Sequence, residues 1–155
     1  MSYHFTAIPN SHVRNIRGNQ PDANGQIAQR IISDGGGNPC RCCLDEIPAG
    51  MEMLVLAYRP FQILNPYAEI GPIFLCSECS EYNEISHIPP VLRNRPRHLF
   101  KGYSTDDRIV YGTGEIVETN DLIQYLTKTF ANPLVAYIHV RSALNGCFTL
   151  RIDRS

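Results

Sequence analysis

Residues 3–8 alternate polar and apolar side chains, which predicts a short strand that Pro9 ends. Residues 10–26 are rich in Asn, Gly and Gln, contain Pro21, and read as an irregular loop. Residues 27–33 predict a second strand. The run Asp34-Gly35-Gly36-Gly37-Asn38-Pro39 is a chain reversal that delivers the backbone to Cys40. The clearest strand is 51–58. Its consecutive apolar residues Met53, Leu54, Val55 and Leu56 suit a strand covered on both faces, hence a central one. Residues 59–72 carry three prolines and predict a loop or sheet edge, and 73–75 resume a short strand. A short helix is predicted over 78–85, after which Pro89, Pro90 and Pro96 break regular structure.

Residues 120–131 carry the strongest helical pattern. Leu122, Ile123, Leu126 and Phe130 line one face, Thr119 or Asn120 caps the start, and Asn132-Pro133 stops the helix. Residues 134–141 and 148–152 form a strand pair across the Asn145-Gly146 turn. The expected fold is α+β, with mostly antiparallel strands, one or two helices, and one domain over residues 1–155.

Composition narrows the class. The chain is 155 residues long, 43% hydrophobic and 19% charged, which is globular rather than disordered. No apolar run reaches 18 residues, so no membrane partner is expected, and the N-terminal residues lack the basic-then-apolar pattern of a signal peptide. The expected compartment is the cytoplasm. Net charge is −1 but unevenly spread. Residues 41–90 hold Arg41 and Arg59 against seven acids, and residues 91–108 hold Arg93, Arg95, Arg97, Lys101 and Arg108 against Asp106 and Asp107. Two complementary solvated faces explain this better than an anion-binding strip, and the balance does not suit nucleic acid.

Six cysteines in a reducing compartment point to metal or redox chemistry rather than disulfides. Four form two C-x-x-C pairs: Cys40 with Cys43, and Cys76 with Cys79. Two intervening residues let a tight turn bring both sulfurs onto one tetrahedral ion. The first pair follows a turn. The second precedes the expected helix, whose N-terminus would favour a Cys79 thiolate. The pattern resembles a treble-clef-like zinc knuckle. Cys42 competes with Cys43 as a ligand, His87 is a substitute ligand, and Cys147 is expected in the core. Four sulfurs on one ion leave no open position for a catalytic water, so the zinc is expected to be structural.

A second constellation, Arg59, Tyr67 and Glu69, lies on a proline-stiffened loop. It reads either as a pocket for a small anionic ligand or as an Arg59–Glu69 pair that pins the loop, with Tyr67 packed beside it. No Ser-His-Asp order, phosphate loop or His-Glu-x-x-His motif is present, and no catalytic residue is assigned.

The motifs Pro39-Cys40-Arg41-Cys42-Cys43-Leu44, Leu56-Ala57-Tyr58-Arg59-Pro60-Phe61 and Pro66-Tyr67-Ala68-Glu69-Ile70-Gly71-Pro72-Ile73-Phe74 resemble a family of bacterial proteins, domain of unknown function 1203. The resemblance continues through Gly146-Cys147-Phe148 to Arg154. It implies no activity. The expected function is a zinc-stabilised domain acting as a binding module. The alternative is an enzyme that uses a reactive thiol of the Cys40–Cys43 cluster or the Arg59/Tyr67/Glu69 pocket.

Overall fold

The computed structural model describes residues 2–155. Strand β1 (Tyr3–Thr6) buries Tyr3 and Phe5 and leads through Pro9 into helix α1 (Asn10–Arg17). Strands β2 (Gln29–Ile32), β3 (Glu52–Tyr58) and β4 (Gly71–Cys76) form a three-stranded antiparallel sheet with β3 in the centre. A single helical turn, α2 (Pro90–Arg93), precedes β5 (Arg97–Tyr103) and β6 (Glu115–Glu118). A 3-10 turn (Thr119–Asp121) enters helix α3 (Leu122–Phe130), and β7 (Tyr137–Ser142) and β8 (Phe148–Arg154) follow. The larger sheet has the order β1-β8-β7-β5-β6, with every neighbouring pair antiparallel. The described residues are α+β, mostly antiparallel strands with three short α-helices.

The two faces of the larger sheet differ, and the alternation along β7 shows why. Ile138 and Val140 join Phe100, Leu150, Ile152, Leu126 and Phe130 in a core between the sheet and α3. Each fully buried Leu or Ile of this kind contributes about 1.5–3 kcal/mol. Tyr137, His139 and Arg141 alternate with them and so project from the opposite face. There they pair in register with Tyr103, Lys101 and Leu99 of β5. A second core gathers Val13 and Ile16 of α1, Met53, Leu54, Leu56, Ile73 and Leu75 of the smaller sheet, and Phe148 of β8. Phe61 packs with Tyr103 and Tyr137 in a third, smaller cluster.

Several expectations change. Residues 10–17 are helical, not irregular: Val13 and Ile16 are buried one turn apart, and Pro9 pre-sets the entry. Residues 78–85 form no helix. The Tyr82 N–H donates to the Cys42 carbonyl at 2.9 Å and the Phe5 N–H to the Ile85 carbonyl at 2.7 Å, so tertiary bonds claim this backbone. Pro89 and Pro90 start a helical turn, as proline can at a first helical position. Neither Thr119 nor Asn120 caps α3. The Thr119 hydroxyl donates to the Arg95 carbonyl at 2.5 Å, tying α3 to the start of β5. Ile123 is exposed, and Tyr125 takes its place on the buried face. Cys147 is half-buried just ahead of β8 instead of lying in the core.

Candidate metal centre

The first cysteine pair sits in a tight loop. Asn38 and Ile47 bond across its base (2.9 Å), the Cys40 N–H meets the Asp45 carbonyl (2.9 Å), and the Leu44 N–H meets the Cys40 carbonyl (3.1 Å). Leu44 closes the turn at φ 55°, a left-handed conformation that is uncommon for a γ-branched residue. The second pair begins at the last residue of β4. A parallel bridge from Cys40 to Phe74 lays the loop beside that strand.

The result is that Cys40, Cys43, Cys76 and Cys79 bring their sulfurs within 4.8 Å of one another. The Cys40 and Cys79 sulfurs are 3.9 Å apart. A tetrahedral ion with metal–sulfur bonds of about 2.3 Å requires sulfurs about 3.8 Å apart along each edge, so the residues fit such an ion. Cys43, rather than Cys42, joins the group. The Cys42 thiol is buried, and its backbone N–H donates to the Cys40 sulfur at 3.4 Å. The Cys76 N–H does the same at 3.3 Å. His87 is exposed and lies outside the cluster.

Thiols this close titrate together. Hydrogen bonds from Cys43 and Cys76 hold the Cys40 thiol down to about 7. Hydrogen bonds from Cys40 and its neighbours lower Cys79 further, and Cys43 and Cys76 are pushed up by their bonds to Cys40. Cys42 is also raised, by its bond to Cys79 and by burial. Because residues 78–85 are not helical, Cys79 has no helix N-terminus beside it. Its cationic partner is Arg17, from the last turn of α1, which donates to the Cys79 sulfur at 3.2 Å and to the Cys76 carbonyl at 3.0 Å. Burial lowers the Arg17 pKa, but the bond to Cys79 and the attraction of the nearby sulfurs raise it overall. No spacing rule identifies Arg17, because its partners are brought to it by the fold.

The second constellation does not converge. Arg59 donates to the Phe61 carbonyl at 3.4 Å and forms no ion pair among the described residues, so it does not pin the loop through Glu69. The Tyr67 hydroxyl meets that of Tyr111 at 3.0 Å, and Arg108 lies over the Tyr67 ring. Glu69 faces Arg141 at 3.8 Å and Lys101 at 4.0 Å. Arg59 lines a cleft of about 490 Å³ with His139 and Arg151, and Glu69 lines a separate cleft of about 200 Å³ with Arg141. The basic residues 93–108 are partly spent on carboxylates: Arg95 on Glu46 and Arg97 on Glu118.

No local motif marks Tyr103, His139 or Arg141 in the sequence. The period-two pattern Tyr137-Ile138-His139-Val140-Arg141 was the available signal, since it puts polar groups on a face that turns out to be covered.

A family model described as protein of unknown function (DUF1203) matches residues 37–154. No curated protein matches the chain, and no solved structure does.

Proposed function

Because the chain belongs to that family of proteins of unknown function, we propose its role from geometry alone: it is a zinc-stabilised binding module in which Cys40, Cys43, Cys76 and Cys79 hold one structural ion. The observation that carries this reading is the four-sulfur cluster with a 3.9 Å edge. Soft thiolates with tetrahedral spacing suit zinc among the common divalent ions. An ion bound by four sulfurs keeps no position for water or substrate, which supports a role in stability over hydrolysis. The amide donors to Cys40 and the Arg17 contact to Cys79 are the outer partners such a site needs to orient its ligands and offset their charge.

Protein purified without added zinc should carry about one equivalent. Under native conditions only Cys147 should label readily, because Cys42 is buried and the other four thiols are held by the ion. Cys79→Ser should lose the metal, while Cys42→Ser and Cys147→Ser should keep it. Less than roughly 0.2 equivalents, with all six thiols reacting freely with an alkylating reagent at neutral pH, would overturn the reading; one metal-free thiol labelling much faster than the rest would favour a reactive-thiol enzyme instead.

A further inference from the structure

The covered face of the larger sheet holds an arginine with an unused edge. The Arg141 side chain is only 7% exposed. Its Nη1 donates to the Gly146 carbonyl at 2.9 Å, but its Nε and Nη2 have no hydrogen-bond partner. Those two nitrogens form the side-on edge with which a guanidinium grips a carboxylate or phosphate through two parallel bonds. The hydroxyl of Tyr103 and Nδ1 of His139, both buried on the same face, are also unpartnered. Buried polar groups are rarely left so, and here they cluster.

The surroundings supply positive charge and space. Lys101 stands opposite His139 on β5, and both it and Arg141 approach the Glu69 carboxylate, at 4.0 and 3.8 Å. Those separations are too long for hydrogen bonds. Glu69 is half-exposed on the 59–70 loop, at the mouth of the cleft of about 200 Å³ lined by Tyr58, Arg141, Gly146 and Phe148. His139 is held neutral, by burial first and then by Arg141, Arg151 and Lys101, so it adds no charge. Arg151 is already bound by Asp153.

We propose that a small carboxylate entering by this cleft displaces the Glu69 carboxylate and is then gripped side-on by Nε and Nη2 of Arg141, which are closed to solvent while Glu69 stays in place, with Lys101 beside it. The group that Arg141 and Lys101 face in this structure is itself a carboxylate, Glu69, so a planar, singly charged head matches what the pair already holds better than a doubly charged phosphate. The site deepens the binding-module reading by naming a ligand class, and it uses none of the four clustered cysteines, although Cys147 lines the same cleft.

Full-length, metal-replete protein labelled with nitrogen-15 is titrated at constant ionic strength with acetate and, separately, with inorganic phosphate. Acetate should shift the amides of Glu69, Gly71 and Gly146 saturably, with a Kd on the order of 1 mM. Arg141→Met should weaken binding about tenfold or more, and Glu69→Gln should tighten it several-fold by removing the competing charge. Linear, unsaturable shifts would overturn the site. Tighter saturation of the same amides by phosphate would overturn the carboxylate assignment. If Arg141→Met does not fold, Glu69→Gln decides: affinity unchanged or weaker than in the parent protein would overturn the proposal. Zinc content measured on the same samples separates the two readings, because absent acetate binding at one equivalent of zinc condemns this site alone.

Discussion

Arg17 reaches the sulfur of Cys79 from a helix more than fifty residues upstream, and it is the one cation hydrogen-bonded to a cysteine sulfur among the described residues. A zinc ion with four thiolates carries a net charge of −2, so a guanidinium at 3.2 Å lowers the energy of the loaded state. Outer partners of metal ligands typically change affinity 10- to 100-fold. Arg17 is part-exposed, and solvent screens part of its effect. Arg17→Met should therefore weaken zinc retention by about tenfold, the low end of that range. Competition with a chromophoric chelator measures this, and unchanged retention would make the contact incidental. At this scale the four cysteines were legible because ligand spacing is a local property. The choice of Cys43 over Cys42 was not, because both spacings satisfy a turn and only the orientation of the loop separates them. Arg17, Tyr103, His139 and Arg141 were hidden for a different reason: Cys79 meets Arg17, and β5, β7 and the 59–70 loop converge around the other three, only through the fold.

At the scale of elements, strong patterns held and weak ones gave way to tertiary contacts. β3 was legible as a central strand because four consecutive apolar residues demand cover on both faces. The β7–β8 pair was legible through the Asn145-Gly146 turn, where Gly146 adopts φ 71°. α1 offers only Val13 and Ile16 among polar residues, too little period to announce a helix, and packing supplies what propensity lacks. β5 was masked by its basic residues, and its alternation of buried His98 and Phe100 emerges only once β6 and β7 flank it. α3 gives a direct test of facing. Leu126 is fully buried between helix and sheet, whereas Ile123 is half-exposed. Leu126→Ala should cost about 2–5 kcal/mol, and Ile123→Ala less than about 0.5 kcal/mol. Urea unfolding of both variants checks this, and comparable losses would mean that the helix is rotated from the orientation described.

The two-sheet arrangement was not legible, because nothing local specifies which strands share a sheet when the connections are loops of this length. Phe148 of β8 packs directly on the smaller sheet, and a second set of links between the sheets passes through the cysteine loop. The Arg41 N–H donates to Phe74 of β4, and its Nε donates to the Phe148 carbonyl of β8 at 2.8 Å. The Arg41 carbonyl accepts from Ile8, just beyond β1, and the Leu44 carbonyl accepts from Val91 of α2. Leu44 itself is buried in the core under α3, while Cys40, Cys42 and Cys76 belong to the core of the smaller sheet. An ion at this loop therefore fixes contacts to both sheets at once. Structural zinc in small peptides contributes about 10–16 kcal/mol of apparent binding free energy at neutral pH. A domain of this size is stable by about 5–15 kcal/mol in total, so losing the ion should exceed the whole margin. Chelation is therefore expected to unfold the protein cooperatively. Hydrogen exchange should show Ile138 and Val140 of β7, remote in sequence from all four clustered cysteines, losing protection together with Leu54 and Leu56 of β3. If the smaller sheet melts while β7 stays protected, the ion is only a local clamp, and the larger sheet with α3 stands without it.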